Sequence, residues 1–219
     1  RRRGLARVLF CACCCKAGVM TSVICPLFIS LDGVAEIDPA WHFPYFDEAM
    51  GAAVGEDYAD TDVLLPVRVT CGSFAGAWPD RESPGEVDTG FARELGGLRK
   101  VVATRRGGEL GWRNVVATDD LSAAVTALRE EAVPKVLVAG SLSVVRQLLA
   151  AGEVDELRLL VHPVIAGKGG RLYETLDLQH LTLLRSDVFP TGVVRLIYAP
   201  AELPNAQGRE DASDKLPQD

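Results

Sequence analysis

What this chain lacks narrows it before any motif is read. No apolar run approaches the roughly 20 residues that a membrane-spanning helix needs, so no membrane partner is expected. Basic residues are in deficit: 23 Lys and Arg stand against 30 Asp and Glu, for a formal net charge of −7 over 219 residues. A nucleic-acid binder needs clustered Lys and Arg to meet the phosphate backbone, so nucleic acid is not an expected partner either. Histidine is scarce. A Ser-His-Asp arrangement would have to use His42, His162 or His180, and none accompanies a convincing nucleophile signature. The chain has no G-x-G-x-x-G with an acidic residue about 20 positions on, no P-loop and no G-x-S-x-G elbow.

Cysteine is present, but in the wrong places for a staple or a metal. Cys11, Cys13, Cys14 and Cys15 crowd into one stretch, while Cys25 and Cys71 are isolated. That spacing is too tight for a disulfide framework, and a structural zinc site wants two ligand pairs separated by a loop. No metal site is expected, and a reducing, cytoplasmic compartment fits best. Residues 1–19 start basic and run into VLFCACCC, which imitates a signal peptide, but Arg7 leaves the apolar region very short. The expected organisation is a disordered extension over 1–19, one folded domain over 20–200 and a disordered acidic tail over 201–219.

What is there is an alternation of apolar runs and amphipathic stretches. Strands are expected at 21–30, around 63–65, at 100–104, 114–117, 136–139 and 157–164, and a closing pair at 181–188 and 193–198. Pro26 is awkward inside the first, because it cannot donate to a ladder; a bulge or a missing hydrogen bond is expected there. Helices are expected at 45–57, from about 70 to Phe74, at 91–98, at 121–131 after Asp119-Asp120, and between Ser141 and Gly152. Residues 35–44 read as a loop whose Trp41, His42 and Phe43 either cover a pocket or dock the loop on the core. The pattern predicts a three-layer α/β fold with a mostly parallel mixed sheet and an antiparallel C-terminal edge.

In such a sheet, ligands sit beyond the carboxyl ends of the strands. Those ends carry Asp32-Gly33, then Arg68 and Thr70, then Thr104, Arg105 and Arg106, then Gly140-Ser141. A glycine at a strand-to-helix turn lets phosphate approach the backbone, and the helix N-terminus offers it free N–H groups. Arginines at two ends suit a pyrophosphate and a 2′-phosphate through charge-assisted forks, which favours NADP over NAD.

Taken together, I-S-L-D-G at 29–33, R-x-T at 68–70, T-R at 104–105, A-G-S at 139–141, the V-D-E-L-R-L-x-V-H-P-V-x-x-G-x-G run at 154–169 and F-P-T-G-V-V at 189–194 resemble the dihydrofolate reductase-like superfamily. More closely, over residues 20–200, they resemble the C-terminal reductase domain of the bifunctional riboflavin-biosynthesis deaminase-reductase and its stand-alone bacterial relatives. The resemblance implies NADPH-dependent reduction of a small molecule, in the riboflavin branch a 5-amino-6-(5-phosphoribosylamino)uracil whose ribosyl group becomes ribityl. It implies that Ala139, Gly140 and Ser141 seat the cofactor pyrophosphate, that Arg68 and Thr70 contact its phosphates, and that Thr104 and Arg105 flank the 2′-phosphate.

It places Asp32 on the substrate side as the catalytic candidate, to orient substrate or relay a proton, with an ordinary Asp-Gly turn as the plain alternative. His162 reads as a core histidine. Relatives of this kind commonly pair, which makes a homodimer the expected assembly. The chain departs from the pattern at Pro66-Val67, where leucine-glycine usually precedes the arginine, and at Cys71, where a large aromatic usually follows the threonine. A protein that keeps the fold and binds or senses a nucleotide without turnover is therefore the second expectation.

Overall fold

The structure, a computed structural model, describes residues 20–86, 88–106 and 108–201. The expected N-terminal extension with its four clustered cysteines, and all of the expected tail beyond Ala201, lie outside the described residues.

Eight strands form one sheet: β1 (Ser22–Ser30), β2 (Val63–Leu64), β3 (Arg99–Ala103), β4 (Val115–Thr118), β5 (Lys135–Leu137), β6 (Glu156–His162), β7 (Leu181–Val188) and β8 (Val194–Pro200). Their order is β4-β3-β2-β5-β1-β6-β8-β7. The pairs from β4 across to β6 are parallel, and β6–β8 and β8–β7 are antiparallel, as the sequence pattern led us to expect. Side chains alternate across the central strand. Val23, Cys25, Leu27 and Ile29 face one layer, built from α5 (Leu121–Glu130) and α6 (Leu142–Ala150) with Val125, Leu128, Val144 and Leu148. Ile24 and Phe28 face the other, where α2 (Glu48–Tyr58), α3 (Arg68–Ala77) and α4 (Thr89–Gly97) pack through Met50, Ala53, Phe74 and Leu95.

Several boundaries differ from the sequence reading for identifiable reasons. The helix expected from Tyr45 starts at Glu48, because Asp47 caps it by accepting from Met50 N at 2.8 Å. The stretch read as a loop over 35–44 holds a one-turn helix, α1 (Pro39–His42), capped by Asp38 and begun by proline at its first position. The strand expected to reach Val164 ends at His162, since Pro163 has no N–H to continue it. The short helix expected to stop at Phe74 continues to Ala77.

Candidate active site

The pairing of β1 with β5 stops early, and the cavity begins where it stops. Ser22, Val23 and Ile24 pair with Lys135, Val136 and Leu137, and the last rung is Val138 N donating to Ile24 O at 2.9 Å. The next rung of a parallel ladder would run from the N–H of residue 26 to the carbonyl of Val138. Residue 26 is proline, so that rung cannot form. Of the two outcomes expected for Pro26, the missing hydrogen bond is the one found. β1 continues along β6 alone as far as Ser30, and the chain after β5 leaves the sheet through Ala139 and Gly140.

A cavity of about 600 Å³ occupies the gap. β1 supplies Pro26 and Phe28 to its wall, α2 supplies Val54 and Asp57, and the start of α3 supplies Val67 and Thr70. Ala139, Gly140 and Ser141 complete the wall on the β5 side. Four of the expected cofactor residues, Thr70, Ala139, Gly140 and Ser141, are thus brought together on one cavity, while Arg68, Thr104, Arg105 and Asp32 do not line it.

At the β5–α6 turn the side chains tie the backbone and leave N–H groups over. Gly140 takes φ +58, the left-handed region that a side chain resists. Ser141, 1% exposed, spends its hydroxyl inward: Oγ accepts from Val67 N at 2.8 Å and donates to Ala139 O at 3.0 Å. Thr70 Oγ1 lies 3.2 Å from the same oxygen. Ser141 does not cap α6 with its side chain; its carbonyl accepts from Val144 N and Val145 N, which leaves the N–H groups of Leu142 and Ser143 at the start of the helix.

Val67, where glycine was the family expectation, sits at φ −77 and ψ 165, ordinary for valine, and its side chain packs against the core. Pro66 needs no N–H there, and its carbonyl accepts from Ala103 N at 2.9 Å. Cys71 is buried, its Sγ 3.9 Å from Leu110 O.

The basic residues form a second group beside the turn. Arg68 opens α3 and donates from Nη1 to Arg106 O at 3.2 Å and from Nη2 to Glu109 O at 3.3 Å, which fastens the loop after β3 to the helix. Thr104 Oγ1 accepts from Arg106 N at 3.1 Å, and Arg105 is exposed at the strand end.

Asp32 is engaged on every side. Its Oδ1 accepts from Ser30 Oγ at 2.7 Å and Ala166 N at 2.9 Å; its Oδ2 accepts from Gly167 N at 2.9 Å and Arg171 Nη2 at 3.3 Å. The Ser30 hydroxyl first, then the Ala166 amide, hold this carboxyl well below the usual carboxylate range. It stays ionised, and it fixes the 166–171 loop across the end of β1.

The two histidines of the core meet. His162 directs Nδ1 to Leu160 O at 3.0 Å, an acceptor only, so Nδ1 carries the proton and Nε2 is the acceptor. His42 Nδ1 lies 3.3 Å from that Nε2 and donates to it. Phe28 packs on His42 at 4.3 Å between ring centroids, and Trp41 on His162 at 5.0 Å. Burial first, and the neighbouring His162 second, lower the His42 pKa to about 4; burial lowers that of His162 too. Both rings are neutral at physiological pH. The aromatics of residues 41–43 therefore dock on the core through His42, and His162 is the core histidine it was read to be.

The residue that sequence reasoning passed over is Asp57. It lies on the inward face of α2 with Met50 and Ala53, at spacings of seven and four residues, and is 2% exposed. A carboxylate at an apolar helix position was the available signal. Arg158 Nη1 donates to its Oδ1 at 2.8 Å and Arg195 Nη2 at 2.5 Å.

Comparison with known proteins agrees with this fold. The family described as the RibD C-terminal domain matches residues 21–195. An uncharacterised Bacillus subtilis protein, YyaP, is 27% identical over 138 residues, which are 63% of this chain and 73% of that one. Among solved structures, a riboflavin biosynthesis protein from a Shewanella species superposes with a TM-score of 0.62 at 16% identity, covering 83% of this chain and 99% of its own. A pyrimidine reductase-like protein of Corynebacterium diphtheriae gives 0.59 at 17% identity, with 83% and 92% covered. The diaminohydroxyphosphoribosylaminopyrimidine deaminase/5-amino-6-(5-phosphoribosylamino)uracil reductase of Thermotoga maritima gives 0.58 at 16% identity, where this chain spans 57% of the longer protein.

Proposed function

The chain belongs to the RibD C-terminal domain family, and from that premise we propose that it is an NADPH-dependent reductase of the riboflavin-pathway type, acting on a small heterocyclic substrate related to 5-amino-6-(5-phosphoribosylamino)uracil. The observation that carries this reading is the cavity of about 600 Å³ held open where β1 and β5 part, with the N-terminus of α6 on its wall. That volume falls within the range of small-molecule and cofactor pockets.

The residues present fit a dinucleotide. Gly140 in the left-handed region, the first N–H groups of α6 and Thr70 form a seat for pyrophosphate, with the Ser141 hydroxyl and Ala139 carbonyl holding that seat in shape. Exposed Arg105 beside Thr104 would meet a 2′-phosphate, and Arg68 keeps that loop in register. When bound, the nicotinamide supplies the hydride. The apolar wall from Phe28, Val54 and Val67 excludes water from the reacting face. Asp32, ionised and saturated with donors, has no proton to relay, and enters this reading as the residue that positions the 166–171 loop. The two neutral histidines do not line the cavity, and His42 packs behind Phe28.

Titrating NADPH while following nicotinamide fluorescence tests the reading: saturable binding at micromolar cofactor is expected, and no binding at millimolar cofactor overturns it. Oxidation of the bound NADPH by the phosphoribosylaminouracil is the expected second step. Binding without turnover would replace this reading with that of a nucleotide-binding protein, which one observation favours: Asp32, the catalytic candidate, does not line the cavity.

A cytoplasmic homodimer is part of the proposal. It is supported by the free, buried thiols of Cys25 and Cys71, and by edge strand β7, whose Leu183, Leu184 and Val188 are exposed. Sedimentation of a single 23.5 kDa species would remove the dimer.

A further inference from the structure

We propose that Arg146 and Glu36 bind the sugar-phosphate part of a ligand at the end of the cavity that opens on the α6 side of the sheet; this rests on the cavity being the ligand site. The cavity is not confined to one face. Phe28 and Phe74 line it on the α3 side, while Leu27, whose side chain belongs to the opposite layer, lines it with Ser143 and Arg146 on the α6 side. It therefore runs through the gap between β1 and β5. Among the described residues on its wall, Arg146 alone is basic.

Arg146 is fixed in place without being neutralised. Its Nε donates to Leu172 O at 3.4 Å and its Nη2 to Arg171 O, two carbonyls that bring no counter-charge. The carboxylate in contact with it, Glu174, stands 3.5 Å away with 61% of its side chain exposed, and solvent screens such a pair. No described residue accepts from Nη1. Ser143 lies three residues earlier on the same helix face, and neither its N–H nor its hydroxyl has a described partner. A guanidinium, a hydroxyl and a helix-terminal N–H are the donors a phosphate takes.

Glu36 stands on the same stretch of wall. Gly170 lies between it and α6: a Cβ there would meet Leu142 Cδ2 at 3.0 Å and Glu36 Oε2 at 3.7 Å. Glu36 Oε2 accepts from Gly170 N at 2.9 Å, and no described residue donates to Oε1. A bare anion is repelled by this carboxylate. A sugar phosphate is not, because its hydroxyls donate to Glu36 while its phosphate takes Arg146 and Ser143.

Two sugar phosphates answer this description: the phosphoribosyl group of a substrate, and the nicotinamide ribose with its pyrophosphate. The probes are ribose 5-phosphate, ribose and inorganic phosphate, titrated calorimetrically into the full chain with and without NADPH. The wild type is expected to bind ribose 5-phosphate roughly 10- to 100-fold more tightly than either fragment, as befits hydrogen bonds to charged groups at both ends. Arg146→Gln is expected to lose most of that preference, with partial recovery in Arg146→Lys, and Glu36→Gln to tighten inorganic phosphate. If Arg146→Gln weakens ribose 5-phosphate in the NADPH-loaded chain and leaves NADPH affinity unchanged, the sugar phosphate is the substrate's. If NADPH displaces ribose 5-phosphate and is itself weakened by Arg146→Gln, it is the cofactor's.

A wild type that binds inorganic phosphate or ribose as tightly as ribose 5-phosphate overturns the inference without any variant. So does a folded Arg146→Gln protein with the preference intact. Neither result touches the reductase reading, which falls only if NADPH fails to bind; ribose 5-phosphate selection without NADPH binding would leave Arg146 and Glu36 as a sugar-phosphate site in a protein that is not a reductase.

Discussion

Asp32 and Asp57 are both carboxylates paired with arginine, one at the end of β1 and one on the inner face of α2, and they differ in what each has left over. Asp32 is conspicuous in the sequence, in a turn after a strand, and keeps 21% of its side chain exposed. Yet four donors use both of its oxygens, two of them the amides of Ala166 and Gly167. Asp57 is inconspicuous, one acid among several in a helix, with 3% of its side chain exposed. Its two arginines nevertheless crowd onto one oxygen. Capacity to bind a ligand depends on unspent hydrogen-bonding groups, and position at a strand end does not guarantee them.

The largest expected effect breaks or upholds this contrast on stability. Asp57→Ala leaves Arg158 and Arg195 without their shared counter-charge, at a cost of about 3–5 kcal/mol, read as a lowered urea midpoint. A loss under about 1 kcal/mol would mean that Glu56 and Glu156 suffice for the arginines, and the contrast would fail.

Ser141→Ala comes next. It removes the acceptor of Val67 N and should cost about 1–2 kcal/mol, while leaving the α6 N–H groups in place. NADPH affinity should therefore fall less than in Gly140→Val, which forces a β-branched residue into the left-handed region.

The acid limb of the stability curve sharpens the comparison further. His42 has a lowered folded pKa, about 4, against roughly 6.5 unfolded, so the unfolded chain takes up the proton first. Its contribution is complete above pH 6.5 and is lost as pH falls toward 4, at a slope of at most about 1.4 kcal/mol per pH unit. His42→Phe should flatten that window in pH-dependent denaturation. Asp32 also has a depressed pKa, so its contribution persists above the unfolded carboxylate value near 4 and is lost only at more acid pH. Asp32→Asn should flatten the lower part of the limb, and should speed amide exchange at Ala166 and Gly167.

The smallest effect on stability belongs to Arg105→Ala, which should leave the fold unchanged and weaken NADPH more than NADH. Equal loss for both cofactors would remove Arg105 from the 2′-phosphate.

The sheet was legible because its signals are local. Apolar alternation along Val23–Ile29, the helical faces of α5 and α6, and the glycine turn at Gly140 each follow from spacing within a few residues. The β5–α6 turn on the cavity wall was legible for the same reason. Three features were not. That Ser141 turns its hydroxyl inward depends on Val67, 74 residues away. Saturation of Asp32 depends on amides 134 and 135 residues away. The role of Asp57 depends on Arg158 and Arg195, from two different strands. Pairings that only the folded chain creates leave no trace in local spacing.

Pro26 has a consequence for how fast a ligand can enter. Because the missing rung beside it is a matter of covalent structure, β1 and β5 cannot zip shut over the cavity when it is empty. Entry needs no prior unzipping of strands, and no population of closed molecules has to be drained first. In stopped-flow mixing, the observed rate of NADPH capture should climb in proportion to cofactor concentration, without the plateau that a slow opening step imposes.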